Sequence, residues 1–264
     1  MKPSRSSIVC GVDGSAGSRV ATAVAAELAA ALNARLVLVH AVHDPPAGRR
    51  LLENAAAGLD AELRVTLGDP VDGLHAVCDT EDAELLVVGS HGHRGSAAAL
   101  TGSVSARVAA GGPCPVVIVP PDAGQRFVAH VSSGGSIVCG YDGSPEAERA
   151  LVVGVGLSDR TGLEPLAIFV DPARSWTAAS PGPVQILAGD PVTELRGRAS
   201  RDDARLLVVG SRGRDALRGT LLGSVSAALA ATAPVPVLVV PPTARVADPL
   251  PVGDGESSAT ATTH

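Results

Sequence analysis

GSHGHRGSAAALTGSVSA, from Gly89 to Ala106, and GSRGRDALRGTLLGSVSA, from Gly210 to Ala227, are two versions of one stretch. Each follows an apolar run, Leu85–Val88 in the first and Leu206–Val209 in the second. What they share is Gly-Ser-x-Gly, nine residues, then Gly-Ser-Val-Ser-Ala. A strand, a glycine-opened loop and a helix start in that order let backbone N–H groups converge on an anion.

Working outward, the duplication extends over most of the chain. Ile8–Val12 ends at Asp13-Gly14-Ser15, and 129 residues later Ile137–Tyr141 ends at Asp142-Gly143-Ser144. Ser15 and Ser144 are good helix N-caps, and Pro145 suits the first helical position. Val20, Val24, Leu28 and Leu32 recur every four residues and give the first helix one buried stripe. Asn33 and Gly162, again 129 apart, tolerate the left-handed conformation that closes a helix. A second strand follows, Arg35–His40 or Leu163–Phe169, apolar on nearly every residue as in a sheet covered on both faces.

Beyond it the offset drops to 121, so the second copy is eight residues shorter in the next connection. Arg49–Ala57 reads as a short helix there, whereas DPARSWTAASPGP, after Val170, is expected to lack a full one. Gly68-Asp69-Pro70 and Gly189-Asp190-Pro191 close third strands and open helices, with Asp as cap and Pro at the first position. Val116–Val119 and Val237–Val240 are fifth strands. Five strands alternating with helices, twice, predict an α/β protein of two tandem doubly wound five-stranded parallel-sheet domains. Expected boundaries are residues 1–121 and 136–242, a linker at 122–135 and a disordered tail at 243–264, small, polar and rich in Pro and Gly. Phe127 and Val128 suggest that part of the linker lies against a domain.

Composition narrows the function. Hydrophobic residues make up 45% of the chain and aromatics only 2%, so the cores must be aliphatic and no aromatic platform for single-stranded nucleic acid exists. A net charge of -6 argues against wholesale nucleic-acid binding, although a small anion needs only a local positive field. Lys2 is the sole lysine among 21 basic residues, which removes a Walker-type or Schiff-base lysine. Cys10, Cys78, Cys114 and Cys139 have no metal or redox spacing and are expected to be buried and reduced. The amino terminus is too short in apolar residues for a signal, and no segment reaches membrane-spanning length, so a cytoplasmic protein without a membrane partner is expected.

The candidate site is the glycine loop. Gly89 and Gly92, or Gly210 and Gly213, keep the backbone open to a ligand. Gly102-Ser103 or Gly223-Ser224 then begins a helix whose N–H groups and dipole suit a phosphate, with a serine hydroxyl added. His91, His93 and Arg94, or Arg212, Arg214 and Arg218, supply positive charge. Asp13 and Asp142 are expected in the same crevice, to hold a ribose hydroxyl or a metal. The plainer alternative makes Ser103 and Ser224 simple N-caps and the two aspartates helix-cap acids. His91-x-His93 lacks a third metal ligand, so no metal site is assigned. Neither G-x-G-x-x-G nor G-x-S-x-G occurs.

The whole pattern resembles the universal stress protein family in a tandem form. Its ATP-binding members carry G-2x-G-9x-G-[S/T], matched at Gly89, Gly92, Gly102-Ser103 and at Gly210, Gly213, Gly223-Ser224. The strand ends VDGS and YDGS, the LVLVHAV strand and the PCPVVIV and VPVLVV strands extend the resemblance over residues 6–121 and 135–242. It implies an adenine nucleotide in each half, ATP with or without Mg2+. Gly11, Asp13 and Ala41 would border the adenine and ribose, with Gly89, Gly92, Arg94, Gly102, Ser103 and Val104 on the phosphates. The matching set is Gly140, Asp142, Val170, Gly210, Gly213, Gly223, Ser224 and Val225. His40, usual for the family, is Phe169 in the second half, which predicts unequal sites. The resemblance also implies fifth strands paired between domains, a homodimer, an unidentified protein partner and a nucleotide-dependent stress regulator or sensor. A slow ATPase and a nucleotide-free interaction module are the alternatives. Fast hydrolysis is not expected, because no lysine faces the phosphates and no general base is evident.

Overall fold

Alternating apolar strands and cap-bounded helices fold as the sequence predicts. The computed structural model describes residues 6–42, 44–92, 102–123, 127, 134–171, 184–201, 203–213 and 222–246. The first unit runs β1 (Ser7–Gly11), α1 (Ala16–Ala31), β2 (Arg35–Val42), α2 (Pro45–Ala55), β3 (Ala61–Leu67), α3 (Pro70–Thr80), β4 (Ala83–Gly89), α4 (Ser103–Gly111) and β5 (Val116–Val119). The second runs β6 (Ser136–Tyr141), α5 (Pro145–Thr161), β7 (Glu164–Asp171), β8 (Val184–Ala188), α6 (Pro191–Arg201), β9 (Ala204–Gly210), α7 (Ser224–Thr232) and β10 (Val237–Val240). The stretch expected to lack a helix, residues 172–183, lies outside the described residues.

Local chemistry places the helix ends. Ser15 Oγ accepts from the Ser18 N–H (3.1 Å), and Ser144 Oγ from Ala147 (3.2 Å). Asp69 accepts from Val71 (2.8 Å) and Asp190 from Thr193 (2.8 Å). Asn33 closes α1 with φ 51°, and Gly162 closes α5 with φ 72°. The paired bonds Ala34 N–H to Ala29 O and Asn33 N–H to Ala30 O make the first of these a Schellman turn.

All ten strands form one sheet, ordered β3-β2-β1-β4-β5-β10-β9-β6-β7-β8. Each unit is parallel, and the units join where β5 and β10 pair antiparallel, Leu238 opposite Val117. This is the fifth-strand pairing that the resemblance implied, formed within one chain. Side chains alternate across the seam: Val116, Ile118, Val237 and Val239 enter one apolar cluster, and Val117, Val119, Leu238 and Val240 enter the other. The first cluster lies beneath α3, α4, α6 and α7, the second beneath α1 and α5. Both contain residues of both units, so the units share two continuous cores.

Further contacts tie the units. Arg160 on α5 pairs with Glu84 and donates to Leu32 O (2.9 Å) at the end of α1. Phe127 is buried in the shared second cluster, as its place in the linker suggested. The boundary expected at 242 needs correction. Thr243 Oγ1 donates to Gly112 O (2.9 Å), the Arg245 N–H donates to Pro113 O (2.8 Å), and Ala244 is buried. Residues 243–246 therefore belong to the folded body, because they cap the ends of α3 and α4 of the first unit. The rest of the expected tail, 247–264, lies outside the described residues.

Candidate functional site

In each unit the connections reverse direction at one pair of strands. From β1 the chain crosses to β2 on one side, while β4 lies on the other, so the switch point falls between β1 and β4. In the second unit it falls between β6 and β9. Open α/β sheets leave a crevice at the carboxyl ends of such a pair.

Asp13 and Asp142 enter this crevice from the ends of β1 and β6. Oδ1 of each accepts the N–H of the capping serine, Ser15 or Ser144, at 2.9 Å. Oδ2 turns to the second glycine of the motif. A Cβ on Gly213 would stand 2.6 Å from Asp142 Oδ2, and one on Gly92 would collide with Asp13 Oδ2. One oxygen of each carboxylate holds the turn that leads into the helix, whose cap is Ser15 or Ser144, and the other lies beside the glycine.

The three motif glycines have separate duties. Gly89 and Gly210 let the first helix press on a strand end: a Cβ would meet Gly17 C at 3.0 Å or Glu146 Cβ at 2.8 Å. That is helix packing, not the ligand access expected for them. Gly92 and Gly213 are exposed and make room for the carboxylates. Gly102 and Gly223 tie the loop's neck, donating to Ser90 O (2.6 Å) and Ser211 O (2.8 Å). Each of these two N–H groups is spent on closing the loop.

Ser103 and Ser224 are exposed first residues of α4 and α7, and the cap position belongs to glycine with no side-chain acceptor. The alternative in which they are N-caps is therefore incorrect. Val104 and Val225 are half-buried and pack against the first apolar cluster. A Cβ on Gly11 would meet Leu74 and Val88 at 3.2 Å, and one on Gly140 would meet Leu195 and Val209 at 3.1 Å. Ala41 is half-buried at the end of β2, whereas the side chain of Val170 is buried and belongs to the first apolar cluster. Arg94, His93, Arg214 and Arg218 lie outside the described residues.

Other roles emerge only from the structure. Ser105 Oγ donates to Ser90 O (3.1 Å) and Gly102 O (2.9 Å), while Ser226 Oγ donates to Gly210 O (2.7 Å), a second clip on each neck. The repeated final serine of GSVS was the available signal. His40 Nδ1 bonds Val12 O (2.6 Å), fixing the turn that presents Asp13. Phe169 cannot make that bond in the second unit.

Next to the switch point, beside the amino end of α1, a cavity of about 460 Å³ is walled by Gly14, Gly17, Arg19, Ser90, His91 and Gly92, and Asp13 is not among its lining residues. His91 Nδ1 pairs with Ser90 Oγ (3.0 Å). In the second unit Ser211 Oγ and Arg212 Nε are buried without a hydrogen-bond partner among the described residues. Orphaned donors beside a glycine loop are a capacity that anionic oxygens fill. At the far side of α4, Arg107 bonds Asp69 (3.0 Å) and holds its carboxyl below the usual range. Among the described residues no three metal-ligating side chains gather.

These features define a class: a tandem, doubly wound α/β protein with a glycine loop and a carboxylate at each switch point. The profile of the Universal stress protein family matches residues 5–62, 47–120 and 181–241. The chain is 30% identical to Mycobacterium tuberculosis universal stress protein Rv2005c, over 88% of this chain and 96% of that one. It is 29% identical to Rv2623 of the same organism, over 88% and 95%. A crystal structure of a universal stress protein from Archaeoglobus fulgidus superposes with a TM-score of 0.66 over 89% of this chain and 98% of that one, at 22% identity. The chain belongs to the universal stress protein family. The profile passes over residues 121–180, which include Phe169 and the shortened connection.

Proposed function

We propose that each crevice binds an adenine nucleotide such as ATP, and that the chain acts as a nucleotide-dependent regulator rather than a rapid hydrolase. The observation that carries this is the meeting of Asp13 with Gly92, and of Asp142 with Gly213, across both switch points. One carboxylate oxygen is bound by the turn, and the other faces a glycine surface where a ribose hydroxyl can be held. The uncapped first turns of α4 and α7, with Ser103 and Ser224 at their tips, supply N–H and hydroxyl donors for phosphate oxygens. Orphaned Arg212 Nε supports an anion in the second unit. Mg2+, when present, would ride on the phosphates.

The sites are unequal. His40 braces the first turn, whereas the second has Phe169 and a buried Val170. Because β5 and β10 are consumed within the chain, a homodimer would have to form through another surface. Calorimetric titration of the full chain with ATP tests the reading: two binding events, the first unit tighter, are expected. A chain that takes up no adenine nucleotide contradicts it.

A further inference from the structure

Cys78 stands in the last turn of α3 and Cys114 in the connection from α4 to β5, far apart in sequence. The fold brings them together. They are 0% and 1% exposed and lie in one apolar cluster, and the neighbouring Cys114 thiol together with burial pushes the Cys78 thiol far up. Arg245 brackets the pair, its N–H on Pro113 O (2.8 Å) and its Nη2 on Cys78 O (3.3 Å). Cys10 and Cys139 lie in the cluster on the opposite face of the sheet.

The duplicated unit provides an internal comparison. At the offset of 121, Cys78 and Cys114 correspond to Ala199 and Val235, which are 0% and 1% exposed in the same cluster. The fold therefore accepts hydrocarbons at both positions, and the first unit alone carries two adjoining sulfurs. Packing does not require that pair.

We propose that Cys78 and Cys114 form a reversible redox couple that closes to an intramolecular disulfide with a peroxide as oxidant. One thiol, as thiolate, attacks a peroxide oxygen and becomes a sulfenic acid with loss of water. The second thiol then displaces the hydroxyl as a second water. Two S–H bonds and the O–O bond break, one S–S bond forms, and two electrons pass from sulfur to peroxide. In an intracellular setting such bonds are transient or regulatory and are restored by thiol exchange. Burial disfavours the thiolate and keeps the closed pair slow to react. The Arg245 segment lies over it, so lifting that segment gates the reaction. The bond would close residues 79–113 into a loop, the stretch that carries β4, Gly89, Gly92 and α4.

The test treats the full chain with hydrogen peroxide, alkylates the remaining thiols and digests with trypsin without reduction. Cleavage after Arg94 and Arg107 separates the two cysteines, so the bridge alone joins their peptides. The expected result is a Cys78–Cys114 crosslink that dithiothreitol removes, loss of two of the four thiols, and several-fold faster closure in Arg245→Ala. C78A/C114V, which copies the second unit, should keep the fold and lose the crosslink. Retention of all four thiols in both wild type and Arg245→Ala overturns the proposal. Sulfinic acids or bridges to Cys10 or Cys139 in place of the Cys78–Cys114 bond overturn it equally. A closure rate unchanged by Arg245→Ala overturns the gate.

Discussion

Asp13 and Gly92 approach so closely that the carboxylate Oδ2 occupies the space a Cβ at position 92 would need. Gly92→Ala must therefore push the carboxylate aside and strain its bond to the Ser15 N–H. The expected outcome is a folded protein, destabilised by about 1 kcal/mol, whose first site loses affinity for ATP about tenfold. The second site should be unchanged. Calorimetry resolving the two events checks this, and an equal loss at both sites would contradict it.

Gly102→Glu combined with Gly223→Glu places a carboxylate at the amino ends of α4 and α7. The helix dipole tolerates that charge, but the side chain competes with phosphate for the same first-turn donors. Circular dichroism should be close to wild type while ATP affinity falls more than about tenfold at both sites. Undiminished binding in that folded double variant would remove the loops from the site.

The seam between the units should make unfolding cooperative. Leu238, fully buried opposite Val117, belongs to a cluster that draws on both units. Leu238→Ala is expected to cost about 2–5 kcal/mol while urea denaturation keeps a single transition. Two separated transitions would show that the units fold independently.

Acid stability should register Glu62. Bonds from Arg35 (2.7 Å) and Arg64 (2.6 Å) hold its carboxyl below the usual range. A lowered folded pKa adds stability above the unfolded value, about pH 4.3, and that increment is lost as pH falls through the folded value. The side chain is 40% exposed, so screening limits the pair to within about 1 kcal/mol. Glu62→Gln should melt lower than wild type at pH 7, and the gap should close below about pH 4. A gap constant down to pH 3 would contradict this.

Much of this architecture is local in origin. Ser15 and Ser144 cap helices because their hydroxyls meet N–H groups three residues on, and Asn33 and Gly162 end them by accepting positive φ. Such contacts span a few residues and can be read from the chain. Gly89 was legible as a special position but not in its purpose, because the atom that excludes a Cβ belongs to Gly17 on another element. The same holds for the neck serines, whose acceptors stand across the loop, and for Cys78 and Cys114, which meet through the stacking of α3 on α4. Val170 reads as the equivalent of Ala41, yet its side chain is buried. The loop's glycine chemistry is thus tertiary, and periodicity does not carry it.

The central claim is that Asp13 and Asp142 hold the nucleotide at the two switch points. Calorimetric titration of Asp13→Asn/Asp142→Asn with ATP tests it most directly, since the amide keeps the turn bond to Ser15 or Ser144 while losing the charge. Loss of a charge-assisted bond of about 1.5–3 kcal/mol predicts affinity weaker by about ten- to a hundred-fold at both sites, in a protein that melts as wild type does. ATP bound by that folded variant as tightly as by wild type would contradict the account.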